Sequence, residues 1–259
     1  MPLSRSIFKY APLFLFFVLT ACKDIDRDNI LDPKNPDSYR ALTTMIEAFV
    51  NTENDQFYNQ DMIAALNSIK EQHGDKVVIA HFHRHAGTFM DSLSGQENEI
   101  LYEKYIDQID SEKGVPDVFI NGPDIRIKGA SSAQAALQRI EAKLQPLLIE
   151  NSYFTIEPSL KRENGSVQIS VKLARLGSQA AEDLFLRLVI TEKLDNTYRS
   201  HVVRRVEVSN LIPEMEPGER KTIAFSDLNI YRNPDLKAII MVVSNQNLHI
   251  FQTIEVPLP

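Results

Sequence analysis

The chain of 259 residues contains a single cysteine, Cys22. This is the sequence feature that most restricts the folds available to the chain. One cysteine cannot form an intramolecular disulfide, so small disulfide-stapled folds and dithiol redox centres are both excluded. The fold must instead be stabilised by burial of apolar side chains. The roughly 220 residues that follow position 40 are enough for two ordinary domains.

Cys22 ends a segment with the three parts of a secretory signal. Arg5 and Lys9 are basic, Tyr10–Leu19 is apolar, and Leu19-Thr20-Ala21-Cys22 closes the segment. The apolar stretch is too short to span a bilayer, so residues 1–21 are predicted to be a cleaved signal peptide. The last four residues resemble a lipobox, which implies lipid attachment at Cys22. The alternative is a signal anchor with a chance cysteine.

The charge of the mature chain constrains its partners. The whole chain has 28 basic and 35 acidic residues, and loss of Arg5 and Lys9 leaves 26 against 35, a net charge of −9. That balance argues against nucleic acid as a partner and against electrostatic attraction to anionic headgroups, so the lipid itself is expected to hold the protein at its membrane. No phosphate loop, dinucleotide fingerprint or zinc-protease motif occurs, and no cofactor is predicted.

Residues 22–40 are rich in Asp, Asn and Pro, which predicts a lipidated flexible tether. Asp24, Asp26 and Asp28 alternate like the start of a calcium loop, but Asn29 replaces its glycine and no Glu closes it. Lys23-Asp24 resembles a sorting signal for surface lipoproteins, so the periplasmic and surface-facing sides both stay open.

Residues 41–148 alternate strand and helix patterns in the order β-α-β-α-β-β-α. The strands are predicted at Met45–Val50, Val77–Ala80, Val118–Ile120 and Ile125–Ile127, and the helices at 59–72, at 96–109 and after a capping box at Ser131–Gln134. Residues 149–259 instead contain short strand patterns separated by turn signals, which predict an antiparallel sandwich.

Gly114-Val115-Pro116 and the following strand resemble the thioredoxin loop that carries a cis-proline, which implies a cis bond at Val115–Pro116. More broadly, residues 44–256 resemble the Bacteroidetes-type outer-membrane lipoproteins related to a twenty-eight-kilodalton surface antigen. The stretches that carry this likeness are Ile46–Phe49, Gly74–Val78, Gly114–Gly122, Leu186–Glu192 and His201–Arg204. The resemblance implies an α/β thioredoxin-like domain, an all-β immunoglobulin-like sandwich after it, and a place in the envelope at the outer membrane.

The departure from this family concerns chemistry. Its active members carry Cys-x-x-Cys where this chain has Asn51–Tyr58, which contains no cysteine. Thiol–disulfide exchange needs a thiolate, so the resemblance implies the fold without the redox activity. We therefore expect a non-catalytic interaction module with an envelope protein partner, which it would contact through Asn54, Phe57, Tyr58, Val115 and Pro116. The alternatives are a solute-binding lipoprotein with a closed pocket between its domains and an enzyme with hydrolytic chemistry.

Three further clusters are weaker candidates. His81, His83 and His85 would share one face of a continuing strand and could bind zinc or copper, although consecutive ligands from a straight strand rarely close a tetrahedron. Carboxylates at Asp107, Asp110, Glu112 and Asp117 could serve hydrolysis, but nothing in the sequence fixes their spacing. Arg204-Arg205 could bind a phosphate or a glycan, or could simply belong to a partly exposed strand.

Overall fold

The computed structural model of the protein describes residues 28–53, 57–163, 165–195 and 198–259. The predicted signal peptide and Cys22 lie outside these residues, as do Asp24, Asp26 and Lys23. Within the described part, no helix is both long enough and apolar enough to cross a membrane.

The first half of the chain forms an α/β unit, which begins with a short strand that pairs outside the unit. Its elements are β1 (Arg40–Ala41), β2 (Thr44–Val50), α1 (Phe57–His73), a 3-10 turn (Gly74–Lys76), β3 (Val77–His83), α2 (Gln96–Gln108), β4 (Asp117–Ile120), β5 (Ile125–Lys128) and α3 (Ala133–Leu147). Strands β2 and β3 are buried along their whole length and pair in parallel, which explains their near-continuous apolar sequence. Antiparallel β4 and β5 extend the sheet beyond β2.

The second half forms two antiparallel sheets. Its strands are β6 (Asn151–Ser152), β7 (Phe154–Glu163), β8 (Ser166–Arg175), β9 (Ala181–Glu192), β10 (Val202–Val208), β11 (Ile212–Met215), β12 (Arg220–Asn229), β13 (Leu236–Ser244) and β14 (Ile250–Pro257). The order β12-β8-β7 makes one sheet, and β14-β13-β9-β10 makes the other, with β11 also paired to β9. Inward-facing side chains of both sheets, such as Ile169, Val171, Leu188 and Ile240, form one apolar core.

The two halves share one sheet. Strand β10 pairs in parallel with β3 at Val202 and His81, and the His81 N–H donates to the His201 carbonyl over 2.7 Å. Within the described residues the strand order therefore runs without a break through β14-β13-β9-β10-β3-β2-β4-β5. The sequence predicts two successive domains, whereas in the structure the sheet hydrogen bonding of the first half continues into the second.

We call the packed contact between the two units the seam. One face of β2 and β3 packs on α1 and α3, while the opposite face packs on α2 and on the β9–β13 face of the sandwich. A charged group lies inside this second layer: Glu47 and Arg187 are both almost fully buried, with Glu47 Oε1 3.5 Å from Arg187 Nη2. The Tyr105 hydroxyl donates to Glu47 over 2.5 Å and accepts from Arg187 over 2.8 Å. Burial alone would lower the pKa of Arg187, but Glu47 and Tyr105 outweigh it and raise that pKa.

Residues 28–40 differ from the flexible tether that their composition predicts. Successive turns close through Asp32, Asn35 and Ser38, whose N–H groups donate to carbonyls three residues earlier. Ser38 is 2% exposed; its hydroxyl donates to the Ile30 carbonyl over 2.5 Å and accepts the Gly177 N–H over 2.8 Å. Composition signals turns correctly, but it contains no information on the sandwich surface that these turns cover.

Several element boundaries also differ from the sequence prediction. The helix cap is Ser132, whose hydroxyl accepts the Ala135 N–H over 3.2 Å, so Gln134 does not occupy the third helical position that a capping box requires. In the second half, the sequence predicts strands at Val167–Leu173, Leu184–Ile190, Val202–Val208, Lys221–Phe225, Ala238–Val243 and Ile250–Val256. The structure adds β7 and the short β11. Pro158 lies within β7, and a proline within a run argues against a strand. Strand β3 extends three residues beyond the predicted Ala80, to His83.

Candidate functional site

The carboxyl ends of the parallel strands β2 and β3 meet at one edge of the sheet, beside the start of α1 and the start of β4. Asn51 and Thr52 follow β2, His83 ends β3, and Pro116 directly precedes β4. Ligand sites of open α/β sheets lie outside the carboxyl ends of their strands. We call this region, with the loop of residues 84–95, the edge site.

A histidine–aspartate pair lies at its centre. His83 Nδ1 is 2.9 Å from Asp91 Oδ2, and both side chains are fully buried. The same carboxylate oxygen accepts the Thr52 N–H over 2.8 Å, and Asp91 Oδ1 accepts the Leu93 N–H over 2.9 Å. Burial raises the pKa of Asp91, but the hydrogen bond to His83 and the two backbone N–H groups outweigh that effect and lower it. The pair therefore holds the ends of the two strands to the loop.

Asn51 directly follows β2 and is the first residue of the Asn51–Tyr58 stretch. Its side-chain amide donates to the carbonyls of Arg84 (2.9 Å) and Phe89 (3.1 Å), and its oxygen accepts the Glu53 N–H over 3.0 Å. The Asn51 N–H in turn donates to Asn59 of α1 over 3.1 Å. These bonds fold the 84–95 loop back over the strand ends.

Arg84 fills the space beside the Gly114–Pro116 turn. Its guanidinium lies 3.8 Å from the centre of the Tyr102 ring and donates to the Gly114 carbonyl over 3.2 Å and to Glu99 over 3.1 Å. The Tyr102 hydroxyl donates to Asp117 over 2.8 Å, and burial raises its pKa to about 12. The turn is thereby held by side chains of the chain itself.

The residues predicted to form a contact surface are in different environments. The Val115–Pro116 bond is cis, Pro116 is buried and Val115 is half-buried. Asn54 lies outside the described residues, and Phe57 begins α1, with its side chain also outside them. Tyr58 is 50% exposed. Of the predicted surface, Tyr58 is therefore the described residue most open to a partner, while Pro116 lies beneath the surface.

Two residues that the sequence analysis missed are also apolar and exposed near the same strand ends. Phe89 and Met90 are 39% and 66% exposed and lie in the 84–95 loop. The Asn51 and Asp91 bonds tie this loop to the strand that leads into α1. Tyr58, Phe89 and Met90 together are here called the apolar rim of the edge site. The two loop residues carry no periodic signal, so only the folded loop identifies them.

The weaker candidates of the sequence analysis do not converge. His81 and His83 lie on one face of β3, but His85 lies beyond the strand end, where its Nδ1 accepts the Asp91 N–H over 3.1 Å. His81 instead packs on His201, with ring centres 5.4 Å apart, and burial, His201 and His83 lower its pKa. In the part of the chain that the structure describes, no three His, Cys, Asp or Glu side chains are placed to hold a metal ion. The described part of the structure therefore gives no support to the candidate metal ligands His81, His83 and His85.

The other charged candidates mostly have partners. Asp117 is buried against Arg126, which donates to it over 2.8 Å, whereas Asp107, Asp110 and Glu112 are exposed. Arg204 is paired with Glu192 over 3.2 Å and Arg205 with Glu207 over 2.6 Å. The arginine pair therefore extends along a strand whose charges are already balanced by neighbouring carboxylates.

A cleft of about 310 Å³ opens beside the seam. Helix α1 contributes Lys70 and Glu71 to its wall, and the sandwich contributes Lys193, Ser200, His201 and Lys237 among others. Burial together with the lysines lowers the pKa of His201 to about 4, although Glu255 opposes the shift. The seam itself is packed with apolar side chains around the Glu47–Arg187 pair, and the lateral cleft lies beside it.

The fold resembles solved structures of low sequence identity. HBP35 of Porphyromonas gingivalis matches with a TM-score of 0.60 at 11% identity, over 84% of this chain and 76% of that chain. Protein AGR_C_4864 from Agrobacterium tumefaciens matches with a TM-score of 0.55 at 16% identity, over 84% and 95%. A domain of the outer membrane lipoprotein Omp28 from Porphyromonas gingivalis matches over 41% of this chain and 88% of that domain at 11% identity, with a TM-score of only 0.32.

No family model matches the sequence, and no curated protein matches it either. The first two structural matches each cover most of both chains, so they support a shared sheet-rich α/β architecture. At identities of 11% and 16% they show the fold alone.

Proposed function

We propose that the chain is a lipid-anchored envelope lipoprotein in which a thioredoxin-like domain without redox cysteines and an immunoglobulin-like sandwich form a non-catalytic interaction module. The domain assignments are supported by the order β-α-β-α-β-β-α, by the cis bond before Pro116, and by the two facing antiparallel sheets. The envelope location is supported by the signal-like segment and by the lipobox resemblance at Cys22.

One observation carries the functional part of the proposal. The strand ends next to the stretch where active relatives hold their thiols are tied together by this chain's own hydrogen bonds, while apolar side chains nearby are exposed. His83 and Asp91 are fully buried, and Arg84 is 7% exposed, whereas Met90 is 66% exposed. Exposed apolar side chains beside such a closed region are suited to protein contact.

Photo-crosslinking in intact envelopes tests this proposal. A photoreactive amino acid at Met90 or at Tyr58 is expected to give a discrete crosslinked species. The matched control is Ile149, which is 86% exposed and lies just after α3, near the start of β2 rather than its end. The same species from Ile149, or none from either rim position, would reject the apolar rim as the contact surface.

The enzyme alternative is tested separately. A mature protein that carries Cys22→Ser contains no thiol, so it is expected to show no insulin reduction. Measurable reduction above the buffer rate would overturn the non-catalytic assignment whatever the crosslinking shows.

Solute binding is the second candidate, and the lateral cleft favours it. Residues of both units line the cleft, as is common for ligand sites at domain interfaces. Its lysines face Glu71 and Asp235, so the charge is mixed and selects no single ligand class. Ligand binding at this place would raise the melting temperature, and Lys193→Ala should remove that rise without lowering the melting temperature of the free protein.

A further inference from the structure

The segment that leads from Cys22 into the folded part is docked on one end of the sandwich. Ser38 bonds to Gly177 in the β8–β9 turn, and the Leu31 carbonyl lies against Gly218 in the β11–β12 turn. A Cβ on Gly218 would come within 2.7 Å of that carbonyl oxygen, and Gly218 has φ +80°. The contact therefore requires glycine at this position and fixes the path of the chain as far back as Leu31.

Because residues 28–38 are docked on the sandwich, only a short segment separates the lipid from the folded part of the chain. Asn29 accepts the N–H groups of Leu31 and Asp32, and between Cys22 and Asn29 there are seven residue steps. At about 3.5 Å per extended residue this gives a reach of about 25 Å, whereas a free tether of about 18 residues would reach about 60 Å. The difference between these two reaches is comparable to the diameter of a small domain. The sandwich end therefore cannot move far from the bilayer.

The edge site lies away from this docked end. After Leu42 and Thr43, which bond to Glu150 and Gln252, strand β2 runs from Thr44 to Val50 and delivers Asn51 and Thr52 to the edge site. Seven extended residues at about 3.3 Å each place the two ends of β2 about 20 Å apart. The distance between the docked segment and the apolar rim is thus comparable to the entire free reach of the anchor.

We propose that the sandwich end formed by residues 28–38, the 176–180 turn and the 216–219 turn is the membrane-facing surface, and that the apolar rim points away from the bilayer. The proposal rests on the lipid anchor at Cys22 and names its partner as the phospholipid headgroup layer. Tyr153, which is 45% exposed, lines a cleft of about 370 Å³ between the docked segment and the sandwich. A ring with a polar tip is suited to the headgroup layer.

Headgroup quenching tests the orientation on the full lipidated protein. Because the Cys22 thiol is consumed by the lipid, Ser178→Cys and Met90→Cys each provide a single site for a fluorescent label. In phosphatidylcholine vesicles with a nitroxide on the headgroup, the label at position 178 is expected to be quenched severalfold more than the label at position 90. Equal quenching, or stronger quenching at position 90, would overturn the proposed orientation.

Two further variants separate the possible causes. Insertion of about twelve Gly and Ser residues between Asp26 and Arg27 restores a reach near 60 Å, so the difference between the labels should largely disappear. Ser38→Ala should reduce it by loosening the docked segment, while the matched Ser68→Ala, which removes one exposed bond to the Ala64 carbonyl, should not. An insertion that leaves the difference intact would show that docking does not set the orientation.

Vesicle flotation separates this proposal from the anchor on which it rests. The lipidated protein should float with the vesicles and Cys22→Ser should not. If neither floats, the lipid anchor is wrong and the orientation falls with it. If the lipidated protein floats but its two labels are quenched equally, the anchor stands and only the orientation is rejected.

Discussion

The seam and the edge site both bury charged side chains of the same sheet, but they do so with different partners. At the seam, Glu47 and Tyr105 of the α/β unit meet Arg187 of the sandwich, 82 residues beyond Tyr105. At the edge site, Asp91 bonds to His83, eight residues away, and to backbone N–H groups. The seam therefore uses charge to join distant parts of the chain, whereas the edge site uses it to fold one loop.

The seam and the edge site also differ in whether their buried polar atoms have hydrogen-bond partners. Arg187 Nε and Glu47 Oε1 have no hydrogen-bond partner among the described residues, although Glu47 Oε1 lies near the guanidinium. Both oxygens of Asp91 accept hydrogen bonds, although His83 Nε2 is buried without a partner among the described residues. A buried ion pair has little net stabilising value, but removal of one partner is costly because the other charge stays buried. The seam should therefore be the more sensitive region to single substitutions.

Arg187→Ala should have the largest effect. It leaves Glu47 buried without a cation, and we expect the free energy of unfolding in urea to fall by about 3–5 kcal/mol. The double variant Glu47→Leu with Arg187→Met removes both charges at similar volume and should recover most of that loss. Arg199→Ala, which breaks an exposed ion pair with Asp195, is the control and should cost less than about 1 kcal/mol. If Arg187→Ala lowered the free energy of unfolding as little as Arg199→Ala does, the expectation that the seam is the more sensitive region would be contradicted.

Gly122→Ala tests a second contact between the two units. Gly122 has φ +105°, and a Cβ there would lie 2.6 Å from the Leu248 carbonyl oxygen of the β13–β14 turn. The strain and the clash together should cost about 2–3 kcal/mol in urea unfolding. Gly74→Ala has φ +55° with nothing within 4 Å, so it reports the backbone strain alone and should cost about 1 kcal/mol. Equal costs would show that the two turns can move apart freely.

The parts of the fold that follow from local pattern were predictable from the sequence. Val77–Ala80 and Ser132 lie where apolar runs and capping residues predict, because those signals act within a few positions. The pairing of Glu47 with Arg187 depends on chain folding over 140 positions, and no local rule contains it. At the edge site the sequence indicated the Asn51–Tyr58 stretch, and the structure places Asn51 and Thr52 of that stretch at the strand ends. The sequence missed Asp91, Phe89 and Met90, because their positions depend on the path of an irregular loop.

Asp91→Asn should have a moderate effect that depends on pH. The substitution replaces an acceptor of the Thr52 N–H and of the His83 ring with an amide, and at neutral pH it should cost about 1–2 kcal/mol. Because folding lowers the pKa of Asp91, its contribution is present above the unfolded-state pKa of about 4 and is lost as the pH falls through the lower folded-state value. Urea unfolding of both proteins between neutral and acidic pH should show their stabilities converging in acid. A gap that does not change with pH would show that the carboxylate charge is not the cause.

The smallest effect on stability should come from the apolar rim. Tyr58 and Met90 are 50% and 66% exposed, so Tyr58→Ser with Met90→Ser should change the free energy of unfolding by less than about 0.5 kcal/mol. The matched control is Met62→Ser on α1, a fully buried methionine whose loss should cost about 2–5 kcal/mol. If the rim variant keeps its stability but loses the crosslinked species, the exposed apolar groups serve contact rather than folding. If it instead loses more than about 1 kcal/mol, the rim belongs to the stabilising core, and the contrast between a structural seam and a contact edge would no longer hold.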